Sequence, residues 1–219
     1  MQIFLDTAEI TEIRERAAAG LIDGITTNPS LISKSGAGIK ERIAEICEAV
    51  GGPVSAEVVA TDSEGMIAEG RRLRAIADNV VVKLPLTAEG LNACRTLSEE
   101  GIPTNVTLCF SLNQALLAAK AGATFVSPFV GRIEDMGGDG IGLLAAIRDV
   151  YDRYGYDTSV LAASLRSPAH VEAAALAGCD AATLPPKIFD QMVRHPLTDS
   201  GLEAFLADWR KTGRTGLDG

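Results

Sequence analysis

The sequence is poor in the residues from which metal sites and disulfide frameworks are built. Its 219 residues include only 2 histidines and 4 cysteines. The cysteines lie far apart and form no C-x-x-C pair; they are Cys47, Cys94, Cys109 and Cys179. Zinc sites require closely spaced cysteine and histidine ligands, so we expect no metal site. We expect free thiols in a reducing cytoplasm, each packed as a small hydrophobic residue.

Positive charge is also scarce. The chain has 20 Lys and Arg residues against 29 Asp and Glu residues, which gives a formal net charge of −9. A protein that binds nucleic acid would carry a basic surface, so the composition disfavours that class. An anionic small molecule stays compatible with this balance, because a binding site needs only two or three local cations.

Long hydrophobic runs are missing. No apolar stretch reaches the roughly 18 residues that span a bilayer. The N-terminal segment MQIFLDTAEI has neither the basic region nor the cleavage signal of a secretory peptide. We therefore expect a cytoplasmic protein without a membrane partner. The hydrophobic share of 47% is that of a globular protein, which excludes general disorder.

The sequence does contain a regular alternation of short apolar runs and helical stretches. The runs are QIFLD, GITTNP, VSAEVVA, VVVKLP, PTNVTLCF, FVSPFV, SVLAASL and AATLPP. These eight units in 219 residues give roughly 27 residues each, which suits strand–helix units with short loops. Runs such as VVVKL are apolar on both faces, as in parallel strands covered by helices.

Eight units favour a closed (β/α)₈ TIM barrel over an open doubly wound sheet of the Rossmann or flavodoxin type. No G-x-G-x-x-G follows the first strand and no G-x-x-x-x-G-K-[ST] occurs, which further disfavours a nucleotide-binding sheet. We predict one α/β barrel domain over residues 1–219, with 196–219 as an extra C-terminal helix and polar tail. No Pro- or Ser-rich linker divides the chain.

Local signals mark some helix boundaries. Asp62 is a candidate N-cap, and the segments AAAG, AKAG and ALAG are typical of helix ends. The segment GGDGIG after the sixth strand predicts a flexible glycine-rich loop.

Polar residues occur at the carboxyl ends of the predicted strands, where TIM barrels build their active sites. They are Asp6, Thr26, Thr27, Asn28, Glu57, Lys83, Asn105, Thr107, Ser127, Ser164 and Thr183, with Arg132 and Arg166 just beyond. The remaining strand positions are mostly aliphatic. We expect these polar side chains to meet at one mouth of the barrel.

Lys83 is the most informative of them, because VVVKLP contains no other polar residue. Lysine is almost never fully buried without a partner or a function. Burial in an apolar wall lowers the pKa of an amine, and a neutral amine can attack a ketone to form a Schiff base. The alternative is a structural Lys–Glu or Lys–Asp pair that fills the barrel interior.

Asp6 and Glu57 end their own apolar strands. Two carboxylates near one lysine can divide the general acid and general base roles when their environments differ. The alternative for Asp6 is that it caps the first helix. No helix start lies within four residues of Glu57, so capping does not account for it.

Arg132 and Arg166 follow the sixth and seventh strands. Two arginines at one mouth suit a phosphate, which they bind through bidentate charge-assisted hydrogen bonds, and Ser164 can add a hydroxyl contact. The alternative is that each arginine lies on the surface and pairs with Glu134 or Asp135.

Several segments together carry a family resemblance. They are IFLDTA, DGITTNPSLI, VSAEVVATD, VVKLPLT, IPTNVTLCFS, FVSPFVGRIED and LAASLRSP, and they cover nearly the whole chain. D-G-x-T-T-N-P-[ST]-L followed by V-K-[LI]-P is a specific combination. The sequence resembles the transaldolases, in the short-chain group that also includes fructose-6-phosphate aldolase.

The resemblance implies transfer of a dihydroxyacetone unit between sugar phosphates of the pentose-phosphate pathway, without metal or other cofactor. Donors would be fructose 6-phosphate and sedoheptulose 7-phosphate, and acceptors would be glyceraldehyde 3-phosphate and erythrose 4-phosphate. Lys83 would form the Schiff base, Asp6 would take the C4 hydroxyl proton, and Glu57 would shuttle protons through a water held with Thr107. Donor hydroxyls would be held by Asn28, Asn105 and Ser127, and the phosphate by Arg132, Ser164 and Arg166. A homo-oligomer, pentameric or decameric, is also implied.

Two positions separate the branches of this family. Members that act mainly as fructose-6-phosphate aldolases carry Gln in place of Glu57 and Tyr in place of Phe129. This sequence has Glu and Phe, which indicates transfer rather than release of free dihydroxyacetone. A phosphosugar isomerase and a non-catalytic sugar-phosphate sensor are alternatives from other classes. Both are disfavoured because Lys83, Asp6 and Glu57 occur together.

Overall fold

The structure, a computed structural model, describes residues 1–213. Eight parallel strands pair in chain order, and the last pairs with the first to close a barrel. The strands are β1 (Gln2–Asp6), β2 (Gly24–Thr26), β3 (Val54–Glu57), β4 (Val80–Pro85), β5 (Thr104–Cys109), β6 (Phe125–Pro128), β7 (Ser159–Ala162) and β8 (Ala181–Leu184). The predicted (β/α)₈ barrel is therefore confirmed, and the open sheet is excluded.

Helices follow every strand, and those before α11 cover the outside of the barrel. Those described are α1 (Ile10–Ala17), α2 (Pro29–Lys34), α3 (Ile39–Ala49), α4 (Ser63–Arg74), α5 (Ala88–Glu99), α6 (Leu112–Lys120), α7 (Val130–Asp135), α8 (Gly140–Tyr154), α9 (Pro168–Leu176), α10 (Pro186–Met192) and α11 (Pro196–Lys211). The large hydrophobic core lies between the strands and these helices. The predicted extra C-terminal helix is α11, whereas residues 214–219 of the predicted tail lie outside the described residues.

The predicted boundary signals act as expected. The carboxylate of Asp62 accepts a hydrogen bond of 2.8 Å from the Gly65 amide at the start of α4. Gly20, Gly122 and Gly178 follow α1, α6 and α9 with φ of 67°, 84° and 79°. This left-handed conformation costs glycine nothing, so each of these residues ends a helix and turns the chain toward the next strand.

Two short helices have no counterpart in the sequence prediction. The α2 helix begins directly after Asn28, whose side-chain oxygen accepts a 2.9 Å hydrogen bond from the Leu31 amide. The α7 helix lies between β6 and the glycine-rich segment, where the prediction was a loop from the strand onward. Its N-cap, Phe129, makes no side-chain capping bond, so the sequence contains no capping signal for the start of α7.

The barrel interior has two layers. An apolar floor is formed by Phe4, Val81, Phe125, Leu161 and Ala181. Side chains alternate along a strand, so the residues two positions further on also point inward. At that level lie Asp6, Lys83, Ser127, Ala163 and Thr183, all of which are polar except Ala163. The polar mouth therefore rests on a closed hydrophobic base.

One glycine makes room for this floor. A Cβ on Gly24 would lie 2.9 Å from Cε1 of Phe4 and 2.6 Å from the carbonyl oxygen of Pro53. The Phe4 ring in turn packs edge-on against Phe125, with 5.9 Å between the ring centroids. The absence of a side chain at Gly24 thus lets the aromatic pair of Phe4 and Phe125 fill this part of the barrel.

The β5 strand contains a bulge beside the mouth. Its register with β6 shifts between Thr107 and Cys109, and the intervening Leu108 has φ of 63°. An inserted residue inverts the alternation of side chains beyond it. Thr107 consequently points into the barrel, whereas Cys109 joins the core cluster that includes Tyr151 of α8.

All four cysteines are free thiols. Burial raises the pKa of Cys109 and Cys47 to about 11 and that of Cys179 to about 12. These thiols therefore stay protonated at neutral pH and pack as core residues, as expected. In residues 1–213, none of the helices combines the length and the apolarity needed to cross a membrane.

Candidate active site

A cavity of about 160 Å³ opens at the carboxyl ends of the strands. Its lining is formed by Asp6, Thr26, Asn28, Lys83, Thr107, Ser127, Phe129, Arg132, Ala163, Ser164 and Thr183. Eight of the eleven residues predicted for the site belong to this lining. The other three, Glu57, Asn105 and Arg166, lie around it and are described below.

Lys83 is the buried cation of this cavity, with an exposed fraction of 5%. Its Nζ lies 2.9 Å from Oε2 of Glu57 and donates a 3.0 Å hydrogen bond to the carbonyl oxygen of Thr27. Glu57 and Lys83 are directly paired residues of β3 and β4, so the strand register itself brings them together. The Lys–Glu pair that the sequence left open is present, and it lies in the cavity wall rather than in the apolar floor.

Asp6 is the second carboxylate near Lys83. It accepts a 2.8 Å hydrogen bond from the Thr26 hydroxyl, which also lies 2.7 Å from the Thr183 hydroxyl. Burial raises the pKa of Asp6 above its ordinary value of 3.8, although the charge of Lys83 and the bond from Thr26 act in the opposite direction. Asp6 does not cap α1, because the N-cap residue of that helix is Glu9.

Asn105 lies behind the cavity wall and connects two hydroxyls. Ser127 donates a 2.6 Å hydrogen bond to Oδ1 of Asn105, whose Nδ2 donates a 3.0 Å bond to Ser55 Oγ. Since all three residues are buried, this relay fixes the orientation of Ser127 toward the cavity. Asn105 therefore acts on the cavity through Ser127.

Thr107 is buried in the same wall, and its Oγ1 has no hydrogen-bond partner among the described residues. Buried hydroxyls are normally paired, so an unpaired one beside Lys83 points to a group that binds there. A water or a substrate hydroxyl would supply that partner. The side-chain nitrogen of Asn28 is likewise available to the cavity, because its side-chain oxygen is used by the α2 cap.

An aromatic pair and a cation form the outer rim. The rings of Phe110 and Phe129 meet edge-on with centroids 5.9 Å apart. The guanidinium of Arg132 lies over the Phe129 ring, 5.0 Å from its centroid, and makes no ion pair within residues 1–213. Arg132 is therefore a cation at the mouth whose charge is available to an anionic ligand.

The loop after β7 completes the rim. Ser164 has φ of 59°, and its carbonyl oxygen accepts a 3.1 Å hydrogen bond from the Gly131 amide of α7. Arg166 lies outside the cavity, where its guanidinium forms a bidentate ion pair with Asp135. The surface pairing that the sequence left open is thus observed for Arg166 and not for Arg132.

Sequence reasoning noted Thr26 and Thr183 at strand ends and gave them no role in the site. Both line the cavity, and Thr26 is the hydrogen-bond donor to Asp6. Ala163 also lines the cavity, and an apolar residue at a strand end carries no chemical signal in the sequence. Within residues 1–213, no group of three or more His, Cys, Asp or Glu side chains is placed to hold a metal ion.

Comparison with known proteins shows the family to which the chain belongs. The family model for transaldolase/fructose-6-phosphate aldolase matches residues 3–217. The chain belongs to this family. A probable transaldolase of Hyphomonas neptunium (strain ATCC 15444) is 62% identical over 213 residues, which are 97% of this chain and 99% of that protein. A probable transaldolase of Phenylobacterium zucineum (strain HLK1) is 60% identical over 215 residues, which are 98% of this chain and 99% of that protein. The family resemblance of the sequence is confirmed.

Proposed function

We propose that this protein is a transaldolase, which transfers a dihydroxyacetone unit from a ketose phosphate to an aldose phosphate through a Schiff base on Lys83. The donor and acceptor pair of the pentose-phosphate pathway would be sedoheptulose 7-phosphate and glyceraldehyde 3-phosphate. The observation that carries this proposal is a buried lysine at a barrel mouth with Asp6 and Glu57 beside it. The names of the relatives favour the same activity.

The first half of the reaction begins at Lys83. The proton of its ammonium passes to Glu57, whose Oε2 lies 2.9 Å away, and the neutral amine attacks the C2 carbonyl of the donor. A carbinolamine forms and loses water to give the iminium ion. Glu57 supplies and removes the protons of these steps through a water that also bonds to Thr107, whose hydroxyl has no other partner in residues 1–213.

Carbon–carbon cleavage then requires a base and an electron sink. The Asp6 carboxylate takes the proton of the C4 hydroxyl, the bond between C3 and C4 breaks, and its electron pair enters the iminium to give an enamine. The aldose phosphate leaves. Reversal of these steps with a second aldose phosphate forms the new carbon–carbon bond, and hydrolysis releases the product from Lys83.

Trapping the Schiff base tests this mechanism directly. Sodium borohydride added together with fructose 6-phosphate should reduce the iminium and leave a stable adduct on Lys83, located by peptide mass spectrometry. Borohydride alone and a Lys83→Met variant are the controls. An isomerase or a binding protein would form no adduct, so an unmodified Lys83 would exclude the proposal. A coupled assay with erythrose 4-phosphate should also yield glyceraldehyde 3-phosphate and sedoheptulose 7-phosphate.

Fructose-6-phosphate aldolase activity, which the family also includes, is not favoured, because the relatives are named probable transaldolases. It would release dihydroxyacetone after protonation of the enamine, a step that a tyrosine hydroxyl at position 129 could supply and Phe129 cannot. We therefore expect Phe129→Tyr to increase dihydroxyacetone release from fructose 6-phosphate in the absence of an acceptor. Phe110→Tyr, at the outer member of the aromatic pair, is the matched control. Equal release by wild type and Phe129→Tyr would contradict this account.

Three wider proposals accompany this function. Residues 1–219 form one domain, which is supported by a barrel closed by β1 and β8. The protein works in the cytoplasm, which is supported by four free cysteines. The protein forms a homo-oligomer, which is supported by the exposed apolar face of α11. Limited proteolysis, cell fractionation and light scattering, respectively, would test them.

A further inference from the structure

We propose that Asp135 occupies on Arg166 the position that the phosphate of the substrate takes, so that Asp135 sets the affinity of the site for phosphorylated sugars. This inference rests on the proposed function, because it assigns Arg166 to the phosphate. It adds a specificity-determining residue that does not belong to the cavity lining.

The pair has the geometry of a carboxylate standing in for an anion. Nη1 and Nη2 of Arg166 donate to Oδ1 and Oδ2 of Asp135, which is the parallel two-bond arrangement that arginine also makes with phosphate. The hydrogen bonds to Arg166 lower the pKa of Asp135, so the carboxylate is charged at neutral pH. The edge of the guanidinium that Nη1 and Nη2 form together is therefore occupied by Asp135.

Arg166 starts from a position beside the cavity. A Cβ on Gly131 would lie 2.5 Å from Nε and 3.1 Å from Cδ of Arg166, so the arginine stem lies against the backbone of α7. The next residue of α7 is Arg132, which lines the cavity, as does Ser164 two residues before Arg166. A change of side-chain rotamer would bring the guanidinium toward these two residues while the backbone keeps its place.

The pair is also open to exchange. The side chains of Arg166 and Asp135 are 50% and 53% exposed, and ion pairs of this kind stabilise a fold only slightly. Exposed side chains change rotamer within nanoseconds. A dianionic phosphate near Arg132 would therefore compete with Asp135 for the guanidinium of Arg166. The free energy of phosphate binding would be reduced by the free energy of the lost Arg166–Asp135 ion pair.

The variant Asp135→Asn removes the competing charge and keeps the side-chain shape. We expect its KM for fructose 6-phosphate to fall about two- to fivefold with kcat unchanged, and its dissociation constant for inorganic phosphate, measured by calorimetry, to fall by a similar factor. The KM for unphosphorylated fructose should stay unchanged. In an Arg166→Ala background, Asp135→Asn should have no effect, because the competitor then has nothing to compete for.

Glu100→Gln is the matched control. It removes one negative charge from the Arg71–Glu100 pair, a similar exposed arginine–carboxylate pair between α4 and α5, and should leave KM unchanged. A higher KM for Asp135→Asn would overturn the proposal, since Asp135 would then hold Arg166 in its binding position. An equal effect in the Arg166→Ala background would also overturn it. The phosphate titration needs no turnover, so it separates failure of this proposal from failure of the Schiff-base chemistry.

Discussion

At the scale of single residues, Asp6 shows how a functional group is held against the preference of its surroundings. Burial disfavours its carboxylate, and the raised pKa means that the folded protein binds a proton here more tightly than the unfolded chain does. This difference fixes the direction in which stability changes with pH. The contribution of Asp6 to stability is highest below its ordinary pKa of 3.8 and is lost as the pH rises through the raised pKa of the folded state.

We predict that Asp6→Asn is inactive and more stable. The amide can still accept the hydrogen bond from Thr26 and carries no charge, so its Tm should exceed that of wild type at pH 7 and approach it near pH 4. Loss of the general base should lower kcat about 10²- to 10⁴-fold.

Thermal unfolding between pH 4 and pH 8 checks the prediction for Asp6. Asp78→Asn removes the same charge from an exposed position and should show no such pH-dependent gain. A constant difference in Tm across this range would contradict the argument.

Single residues also show which site features a sequence reveals. Lys83 was predictable because a lone cation in an apolar strand has few explanations, and Asp6 because it ends its strand. The pairing of Arg166 with Asp135 could only be left open, since 31 positions separate them and either arginine could have formed it. The sequence therefore identifies polar residues at strand ends, whereas the ion-pair partner of a loop residue such as Arg166 depends on the conformation of the loops.

At the scale of elements, α7 and the loop after β7 are in close contact at the rim. A Cβ on Gly131 would lie 2.5 Å from both Nε of Arg166 and the carbonyl oxygen of Ser164. The second of these is backbone, which cannot move aside without opening the hydrogen bond from the Gly131 amide. Glycine is therefore required where α7 meets this loop.

We predict that Gly131→Ala separates the two elements. Overpacking of this kind costs about 1–3 kcal/mol of stability, and the displacement of Ser164 and Arg166 should raise KM for fructose 6-phosphate. The matched control is Gly51→Ala, because a Cβ at that position meets no atom within 4 Å. Equal stability and equal KM for the two variants would show that α7 and the loop after β7 can move apart without affecting stability or substrate binding.

Elements also mark where sequence reasoning ends. The α2 helix carried a recognisable signal, since Asn28 as N-cap and Pro29 in the first turn are a typical helix start. The α7 helix and the left-handed Leu108 carried none, because leucine rarely adopts positive φ and its bulge depends on packing between β5 and β6. The barrel itself was predictable, because eight repeated units offer few other closures.

At the scale of the whole molecule, α11 is the element that the described chain leaves unpacked. It has no buried residue, and Leu202, Phe205, Leu206 and Trp209 recur at helical spacing along one side. Phe205 is 75% exposed, which is unusual for a phenylalanine in a contiguous apolar stripe. This stripe supports the proposal of a homo-oligomer.

We predict that wild type has a mass in solution that is a multiple of 22.9 kDa and that Phe205→Glu shifts it toward the monomer. A buried charge in place of an interface aromatic typically costs about 2 kcal/mol or more. Ser200→Glu, on the opposite side of α11, is the matched control and should keep the wild-type mass. Light scattering coupled to gel filtration provides the measurement, and a monomeric wild type would refute the proposed assembly.

The relay behind Ser127 also determines which partner donates and which accepts in a hydrogen bond with a ligand. Because Ser127 gives its proton to Asn105, it accepts from a ligand, whereas the side-chain nitrogen of Asn28 donates. Ser127 lies in β6 and Asn28 follows β2, and since these strands stand four apart, the two residues face each other across the barrel. A sugar that bonds to both groups would present a hydrogen to Ser127 and a lone pair to the nitrogen of Asn28. The cavity thus selects for whether each sugar hydroxyl donates or accepts a hydrogen bond, in addition to its position.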